Sequence, residues 1–435
     1  MDLSFKKSVG LATTLCLSAI LGLTACTKEV VTEKVIQGEE KKSAETSADI
    51  RVEVNDKMSS EELALAGEQL FGPATFMLAQ TAFDMSLAKD KNNKRALFYT
   101  ALLKPFMTYR GIGVRLKPVI RLHGNIAEHE RTIAKLPNSP FRDFVLDGKE
   151  DIKNIADAQS YLMEMQKAWN ETRSFLLKNT DLNITLNLNP YIFKQEIENE
   201  ITESCQIVHV NDSRDFEASC NYRGAAQRKV NSADVIALRQ SVAGMIMMFN
   251  LYTSYSVEDI DQLMVLDREG KMTAEQRLRY IEDNLPEVGK LRKDHQLKQI
   301  IDLGSDMVAA ANWAIKFQSQ LCPKGPREIK QRPGFLFSQG ICVENMDKAK
   351  KDVAVLEQIL KGAVEAKVSV PGQDREETTQ VDYLAWARNP IQDLRQIAPL
   401  TYNRCGEPAS LKDKTYGGMF PKGDAEKFML NPCQK

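Results

Sequence analysis

The chain has 435 residues, of which 43% are hydrophobic and 27% charged, with 58 basic and 59 acidic side chains. This hydrophobic fraction excludes a wholly disordered chain, and the length predicts two or three domains at roughly 100–200 residues each. The formal net charge of -1 argues against a nucleic-acid partner, because neutralising phosphates requires a surplus of Lys and Arg.

The first 26 residues have the pattern of a secretory signal peptide. Residues 6–7 are lysines, and 9–23 is a mostly apolar run, shorter than the roughly 20 residues that span a bilayer. The run ends in Leu-Thr-Ala-Cys at 23–26, which resembles the lipobox of bacterial lipoproteins. The resemblance implies lipidation of Cys26 and, because Thr27 rather than Asp follows, an outer-membrane location. An ordinary signal peptide with a chance cysteine is the alternative.

Residues 26–57 are predicted to be a lipidated, flexible tether. From residue 27 onward they carry charges of both signs and no aromatic residue, so they cannot bury enough apolar surface to fold. About 30 residues of such a chain have an end-to-end distance on the order of 30 Å. Later segments look too short or too polar to span a membrane, so the lipid on Cys26 is the membrane anchor that we expect.

The cysteines favour an oxidising compartment. Of the eight cysteines, Cys16 leaves with the signal peptide and Cys26 carries the lipid. Six cysteines allow 15 connectivities, so the pairing is predicted from proximity alone. The predicted disulfides are Cys205–Cys220, Cys322–Cys342 and Cys405–Cys433. A zinc site is disfavoured, because the sequence contains no C-x-x-C and its four histidines are scattered.

Folded structure is predicted to begin at Ser59, where Ser59 and Glu62 form a capping box. Residues 60–93 then resemble a tetratricopeptide repeat, a two-helix unit of 34 residues. In this repeat small residues lie where the paired helices touch, and Gly67, Ala79 and Ser86 match these small positions. Phe83 matches the aromatic position of the second helix. The sequence departs from the repeat where Leu63 replaces Trp and Lys91 replaces Pro. A generic helical hairpin is the alternative.

The rest of the chain is predicted to be mainly helical. Apolar residues recur every three or four positions along 152–179, 235–252, 300–321 and 346–364. Strand patterns are confined to about residues 181–222, where alternating and turn-rich segments predict a small antiparallel sheet. The predicted fold is therefore mainly α, with helical hairpins, tetratricopeptide-like packing and a small β insertion.

This pattern divides the chain into six regions. They are the signal peptide (1–25), the lipidated tether (26–57), a tetratricopeptide-like helical region (58–145), a helical hairpin with a β insertion (146–256), a helical hairpin with a cystine-bearing insertion (257–380) and a cystine-bearing tail (381–435).

A basic segment follows the repeat-like unit directly and is the candidate partner-binding surface. Its candidate residues are Tyr109, Arg110, Arg115, Lys117 and Arg121. Arginine pairs well with carboxylate or phosphate groups, so these residues suit an anionic group on a partner. A solvated helix face is the alternative.

The usual catalytic motifs are absent from the sequence, which lacks G-x-S-x-G, H-E-x-x-H, the P-loop and G-x-G-x-x-G. The glycine-rich segment 416–423 lacks the G-K-[ST] ending of a phosphate loop and is predicted to form two turns. We therefore predict no catalytic residue, metal or cofactor, and a non-enzymatic outer-membrane lipoprotein that acts as a helical scaffold for an envelope protein or polymer.

Two other functions stay open. A lipid-anchored cell-wall or glycan hydrolase would require convergent ionisable groups in one pocket. A glycan-capturing lipoprotein would require an aromatic platform, and Trp313 and Trp386 are the candidates for it.

Overall fold

The structure, a computed structural model, describes most of the chain after the tether. The described residues are 49–73, 75–123, 126–134, 140–188, 203–210, 216–222, 226–230, 232–267, 271–316, 346–370, 376–398 and 410–428. The signal peptide and Cys26 lie outside these residues, as do Cys322, Cys342, Cys405 and Cys433.

The fold is mainly helical, as the sequence predicts. The helices are α1 (Ser60–Gln69), α2 (Phe76–Lys89), α3 (Lys94–Thr108), α4 (Ile112–Arg115), α5 (Lys117–His123), α6 (Ile126–Ala134), α7 (Pro140–Leu146), α8 (Ile155–Lys178), α9 (Ser232–Thr253), α10 (Ile260–Leu266), α11 (Ala274–Asn284), α12 (Gln299–Lys316), α13 (Met346–Lys361) and α14 (Ala385–Arg388).

The strands form small antiparallel sheets. They are β1 (Asp49–Val54), β2 (Ile184–Leu188), β3 (Glu203–Val210), β4 (Phe216–Tyr222), β5 (Ala226–Val230), β6 (Val364–Ser369) and β7 (Glu376–Val381). One sheet has the order β1-β4-β3, whereas β2 pairs with β5 and β6 pairs with β7. The expectation that strands are confined to about 181–222 is therefore wrong, because β1, β5, β6 and β7 lie outside that range.

Strand β1 also corrects the predicted end of the tether at residue 57. Residues 49–54 pair in register with β4, from Asp49 opposite Asn221 to Val54 opposite Phe216. Val52 and Val54 are buried in the main core. These two buried valines and the pairing with β4 are enough to order the segment, although its overall composition is charged.

Helices α1 and α2 form the closely packed hairpin that the sequence predicts. The capping box is present: the Ser59 backbone N–H donates to Glu62 Oε2 at 2.7 Å, and the Glu62 N–H donates to Ser59 Oγ at 3.3 Å. A Cβ atom on Gly67 would lie 2.5 Å from Phe83 Cε1, so only glycine permits this approach. Helix α3 packs against α2 and continues the array.

Helices α8, α9 and α12 form a second array, in which α9 packs against both α8 and α12. Helix α9 is long and apolar enough to cross a membrane by length and composition, contrary to the expectation that the later segments are too short or too polar to do so. It nevertheless contributes Val242, Ile246 and Phe249 to the main core, and its Asp234 is fully buried. These contacts are those of a core helix.

The C-terminal part has a small core of its own beside the β6–β7 hairpin, which includes Phe420 stacked on Phe428. The predicted turns are present in 416–423, where Gly417, Gly418 and Gly423 have positive φ. Arg388 joins this part to α13 by donating from Nη2 to the carbonyls of Ile359 and Leu360, at 2.8 and 2.7 Å. It thereby caps the C-terminal end of that helix.

Candidate functional site

The basic segment passes through a tight turn between α3 and α5. Gly111 has a φ of 70°, and this left-handed conformation lets α4 begin immediately after α3. The turn brings Arg110, Arg115 and Arg121 to one side of the chain, where each contacts a carboxylate of residues 147–151.

The three ion pairs have short contacts. Arg110 donates from Nη2 to Asp147 at 2.6 Å, and Arg115 donates from Nε to Asp151 at 2.9 Å. Arg121 donates from Nη1 and Nη2 to the two oxygens of Glu150, at 2.5 and 2.9 Å. We call these six residues the arginine–carboxylate clasp.

Close backbone contact holds the two sides of the clasp together. A Cβ atom on Gly111 would lie 2.5 Å from the Gly148 Cα atom, and one on Gly148 would lie 2.7 Å from the Gly111 Cα atom. The Gly111 N–H donates to the Phe144 carbonyl at 2.9 Å, and the Ile152 N–H donates to the Arg115 carbonyl at 3.3 Å. Glycine is therefore required on both sides of this contact.

The clasp perturbs the acidity of its members. Hydrogen bonds from Arg115 lower the pKa of Asp151, although partial burial opposes this shift. Hydrogen bonds from Arg121 lower the pKa of Glu150, and the charge of Lys117 adds a smaller contribution. The Arg115 guanidinium also lies 4.4 Å from the centre of the Tyr161 ring, a cation–π contact that fixes its position.

Tyr109 does not share the surface of the clasp. It is 3% exposed, and the Trp169 indole N–H donates to its hydroxyl at 3.4 Å. The sequence suggested a surface residue because Tyr109 lies beside Arg110, but the end of α3 turns its ring into the core. The prediction that Tyr109 contacts a partner is therefore wrong.

A buried amide network between α8, α9 and α12 was not predicted from the sequence. Asn250, which is fully buried, accepts a short hydrogen bond from Gln166 of α8. Its amide also donates to the Gln296 carbonyl at 3.0 Å and to Gln299 Oε1 at 3.2 Å. The Gln299 amide in turn donates to Asn170 Oδ1 at 2.6 Å. This network fixes the three helices relative to one another.

The same helices hold a charged group about two turns along α12, which we call the two-arginine cluster. Asp306 accepts hydrogen bonds from Arg173 Nε and Nη2 at 2.8 and 2.6 Å, and from Arg239 Nη2 at 3.0 Å. All three side chains are 16% exposed. The sequence contained a signal for this cluster, because the charged residues Arg239 and Asp306 directly adjoin apolar positions of the helical stripes, Leu238 and Met307.

The two tryptophans proposed as a glycan platform lie on different elements, Trp313 on α12 and Trp386 on α14. The Trp386 indole N–H donates to the Tyr416 carbonyl at 3.2 Å, and the centres of the Trp386 and Tyr416 rings are 5.8 Å apart. Tyr383, close in sequence to Trp386, is 50% exposed. Trp386 therefore has an aromatic neighbour, Tyr416, whereas an exposed aromatic platform for a glycan stays a prediction.

Among the described residues, no three His, Cys, Asp or Glu side chains are arranged to hold a metal ion. His123 and His129 lie on different helices, α5 and α6, and His129 Nε2 is 2.9 Å from the Gly113 carbonyl.

Comparison of the chain with family models, with curated proteins and with solved structures finds no match.

Proposed function

We propose that this protein is a non-enzymatic outer-membrane lipoprotein that acts as a helical scaffold for a protein or envelope-polymer partner, facing the periplasm or the cell surface. The observation that carries the proposal is the contact between α1 and α2 at Gly67 and Phe83. A hairpin packed this closely and continued by α3 is what the tetratricopeptide resemblance implies, and scaffolds of that kind bind partners. The motif at 23–26 supports the membrane location.

The clasp is the surface that we propose for an anionic group on the partner. Arg110 and Arg121 are 36% and 49% exposed, so a partner can reach them. Exposed ion pairs contribute under about 1 kcal/mol each. A carboxylate or phosphate of the partner can therefore replace an internal carboxylate at small cost.

Exchanging the charges within two pairs of the clasp distinguishes partner binding from ion pairing within the protein alone. The double changes Arg110→Asp with Asp147→Arg, and Arg121→Glu with Glu150→Arg, retain each internal pair but reverse the charge at each position. We expect the swapped protein to keep its thermal midpoint and to lose the partner that co-purifies with the wild type. The matched control exchanges the exposed pair Arg279 and Glu275 of α11 and should keep the partner. An unchanged partner in the clasp swap would assign the arginines to an internal role alone.

The membrane anchor is tested by Cys26→Ser. We expect the variant to move from the membrane fraction to the soluble fraction, because a multiply acylated cysteine holds a protein firmly. The Cys16→Ser variant is the control, since this change lies within the apolar run and leaves the lipidation site intact. Retention of the Cys26→Ser variant in membranes would refute the lipid anchor.

Glycan capture is the second candidate, favoured by the Trp386–Tyr416 ring pair and by the exposed Tyr383, three residues before Trp386 in the sequence. Aromatic faces at a surface suit the apolar faces of sugar rings. Tyr383→Ala should abolish sedimentation with isolated cell wall if this candidate holds. Met77→Ala, at a similarly exposed position on α2, is the control that should sediment as the wild type does.

A further inference from the structure

We propose that the two-arginine cluster of Arg173, Arg239 and Asp306 binds an oxyanion, the phosphate or carboxylate group of a ligand. The cluster lies where α8, α9 and α12 meet, and each of these helices contributes one of its side chains. The inference depends on these contacts and is independent of the proposed function.

The charges of the cluster are not balanced among the described residues. Both guanidinium groups contact the one carboxylate of Asp306, and each of the three side chains is only 16% exposed. One carboxylate matches one guanidinium, so the second has no ion-pair partner of its own among the described residues. A positive charge that is largely removed from water without a matching negative charge is unfavourable, and an added anion would relieve it.

Arg239 also has an unsatisfied hydrogen-bond donor. Among the described residues, Arg239 donates one hydrogen bond, from Nη2 to Asp306, and its buried Nε–H has no partner. Buried polar groups in proteins are usually hydrogen-bonded, and leaving one unpaired is costly. A guanidinium that is fixed by one carboxylate and retains donors is well prepared for a second oxyanion, because its planar N–H groups match two oxygens at once.

The helices that carry the cluster are held rigidly together. The amide network at Gln299 and Asn250 holds the same three helices, and Leu303, which lies between the two polar groups on α12, is fully buried. The two guanidinium groups are therefore held in place before an anion arrives, which lowers the entropic cost of binding.

Titration with inorganic phosphate tests the proposal. The full chain, purified in detergent, is titrated at constant ionic strength, with sodium chloride reduced as phosphate is added, and its thermal midpoint is followed. We expect a saturable rise in the midpoint of the wild type. Arg239→Gln should bind phosphate at least about tenfold more weakly, the usual effect of losing one charge-assisted hydrogen bond. This variant leaves Arg173 and Asp306 as a balanced pair, so it should fold.

The matched control is Arg279→Gln, the same chemical change at an ion pair in which Arg279 is 72% exposed, and it should respond as the wild type does. A parallel titration with acetate distinguishes a site for carboxylate and phosphate alike from one for phosphate alone, and either result supports the proposal. Absence of a phosphate response in the wild type, or an equal response in Arg239→Gln, would overturn it. If circular dichroism shows that Arg239→Gln is unfolded, Arg239→Lys replaces it, and equal phosphate affinity in that variant would overturn the proposal too.

Discussion

Gly111 and Gly148 touch backbone to backbone, although 37 positions separate them along the chain. A Cβ atom on Gly111 would meet the Gly148 Cα atom at 2.5 Å and the Asp147 carbonyl oxygen at 2.7 Å. Neither atom can yield in the way that the end of a flexible side chain can, because both belong to the main chain. This contact aligns the acidic residues of 147–151 with the arginines of the clasp.

The first prediction follows from this contact. Gly111→Ala should lower the free energy of unfolding by at least about 2 kcal/mol, through the steric clash and through the φ of 70°, which alanine rarely adopts. Gly244→Ala is the control, because Gly244 lies within α9 and a Cβ atom there would meet nothing within 4 Å. It should stabilise the protein by about 0.5–1 kcal/mol. Urea unfolding measures both changes. A loss of under about 0.5 kcal/mol in Gly111→Ala, the size of an ordinary surface substitution, would refute the close approach.

The second prediction concerns the pH dependence of the clasp. The pKa of Asp151 is lowered by its hydrogen bonds with Arg115, so folding favours the ionised carboxylate. A lowered pKa contributes stability that is present above the unfolded value, about 4, and is lost as the pH falls through the folded value. Asp151→Asn should therefore be less stable than the wild type at pH 7, by under about 1 kcal/mol because the pair is exposed.

The same comparison repeated at about pH 2.5 supplies the test. The difference between Asp151→Asn and the wild type should be smaller there than at pH 7, because the stability from the lowered pKa is progressively lost as the pH falls below the unfolded value of about 4. Asp56→Asn is the control, since the Asp56 side chain is exposed and has no ion pair among the described residues. A difference for Asp151→Asn that is the same at both pH values would show that the ion pair is not its cause.

The third prediction concerns the buried amide of Asn250. Asn250→Ala removes the acceptor of the buried Gln166 amide and the donor to Gln299 Oε1. We expect the free energy of unfolding to fall by about 2–4 kcal/mol, which combines the cost of leaving buried polar groups unpaired with the cost of a small cavity. Asn312→Ala is the control, because Asn312 bonds to Glu357 at the surface and its loss should cost under about 1 kcal/mol. Equal costs for the two variants would contradict the proposed role of the network.

The sequence predicted those features that depend on neighbours along the chain. The capping box at Ser59 and Glu62 involves residues three apart, and the apolar stripe of α12 repeats at the period of the helix, which places Leu303 in the core. The close approach at Gly67 was predictable because the repeat resemblance supplied the spacing between the paired helices. These features need no knowledge of the distant chain.

Features that depend on distant pairing were not predictable in the same way. The sequence marks Arg110 as charged but does not indicate that its carboxylate, Asp147, lies 37 residues further on. Strand β1 finds its partner β4 more than 150 residues away, at Phe216–Tyr222, and a short strand in a charged context gives little signal alone. The amide network was missed for a related reason, since Asn250 lies in an apolar stripe where a polar residue weakens the pattern.

The last prediction is the disulfide between Cys205 and Cys220. Strands β3 and β4 are antiparallel, and their register places these two residues directly opposite each other. Opposite residues of an antiparallel pair have Cα atoms about 4.5–5.5 Å apart, which lies within the range that a disulfide requires. The register thus supports a pairing that was first inferred from proximity in the sequence. Closing a loop of this size contributes roughly 3 kcal/mol on the simple chain-entropy account.

Digestion without reducing agent, followed by mass spectrometry, tests this pairing. We expect one linked peptide containing Cys205 and Cys220, which separates into two peptides after reduction. Cys205→Ser should leave Cys220 as a thiol that reacts with a maleimide in the unfolded protein, whereas the wild type should show no such reaction at either position. A linked peptide that joins Cys205 to any other cysteine would mean that β3 and β4 pair in a different register, or that the bond forms before the sheet does. A free thiol at Cys220 in the oxidised wild type would refute the predicted disulfide.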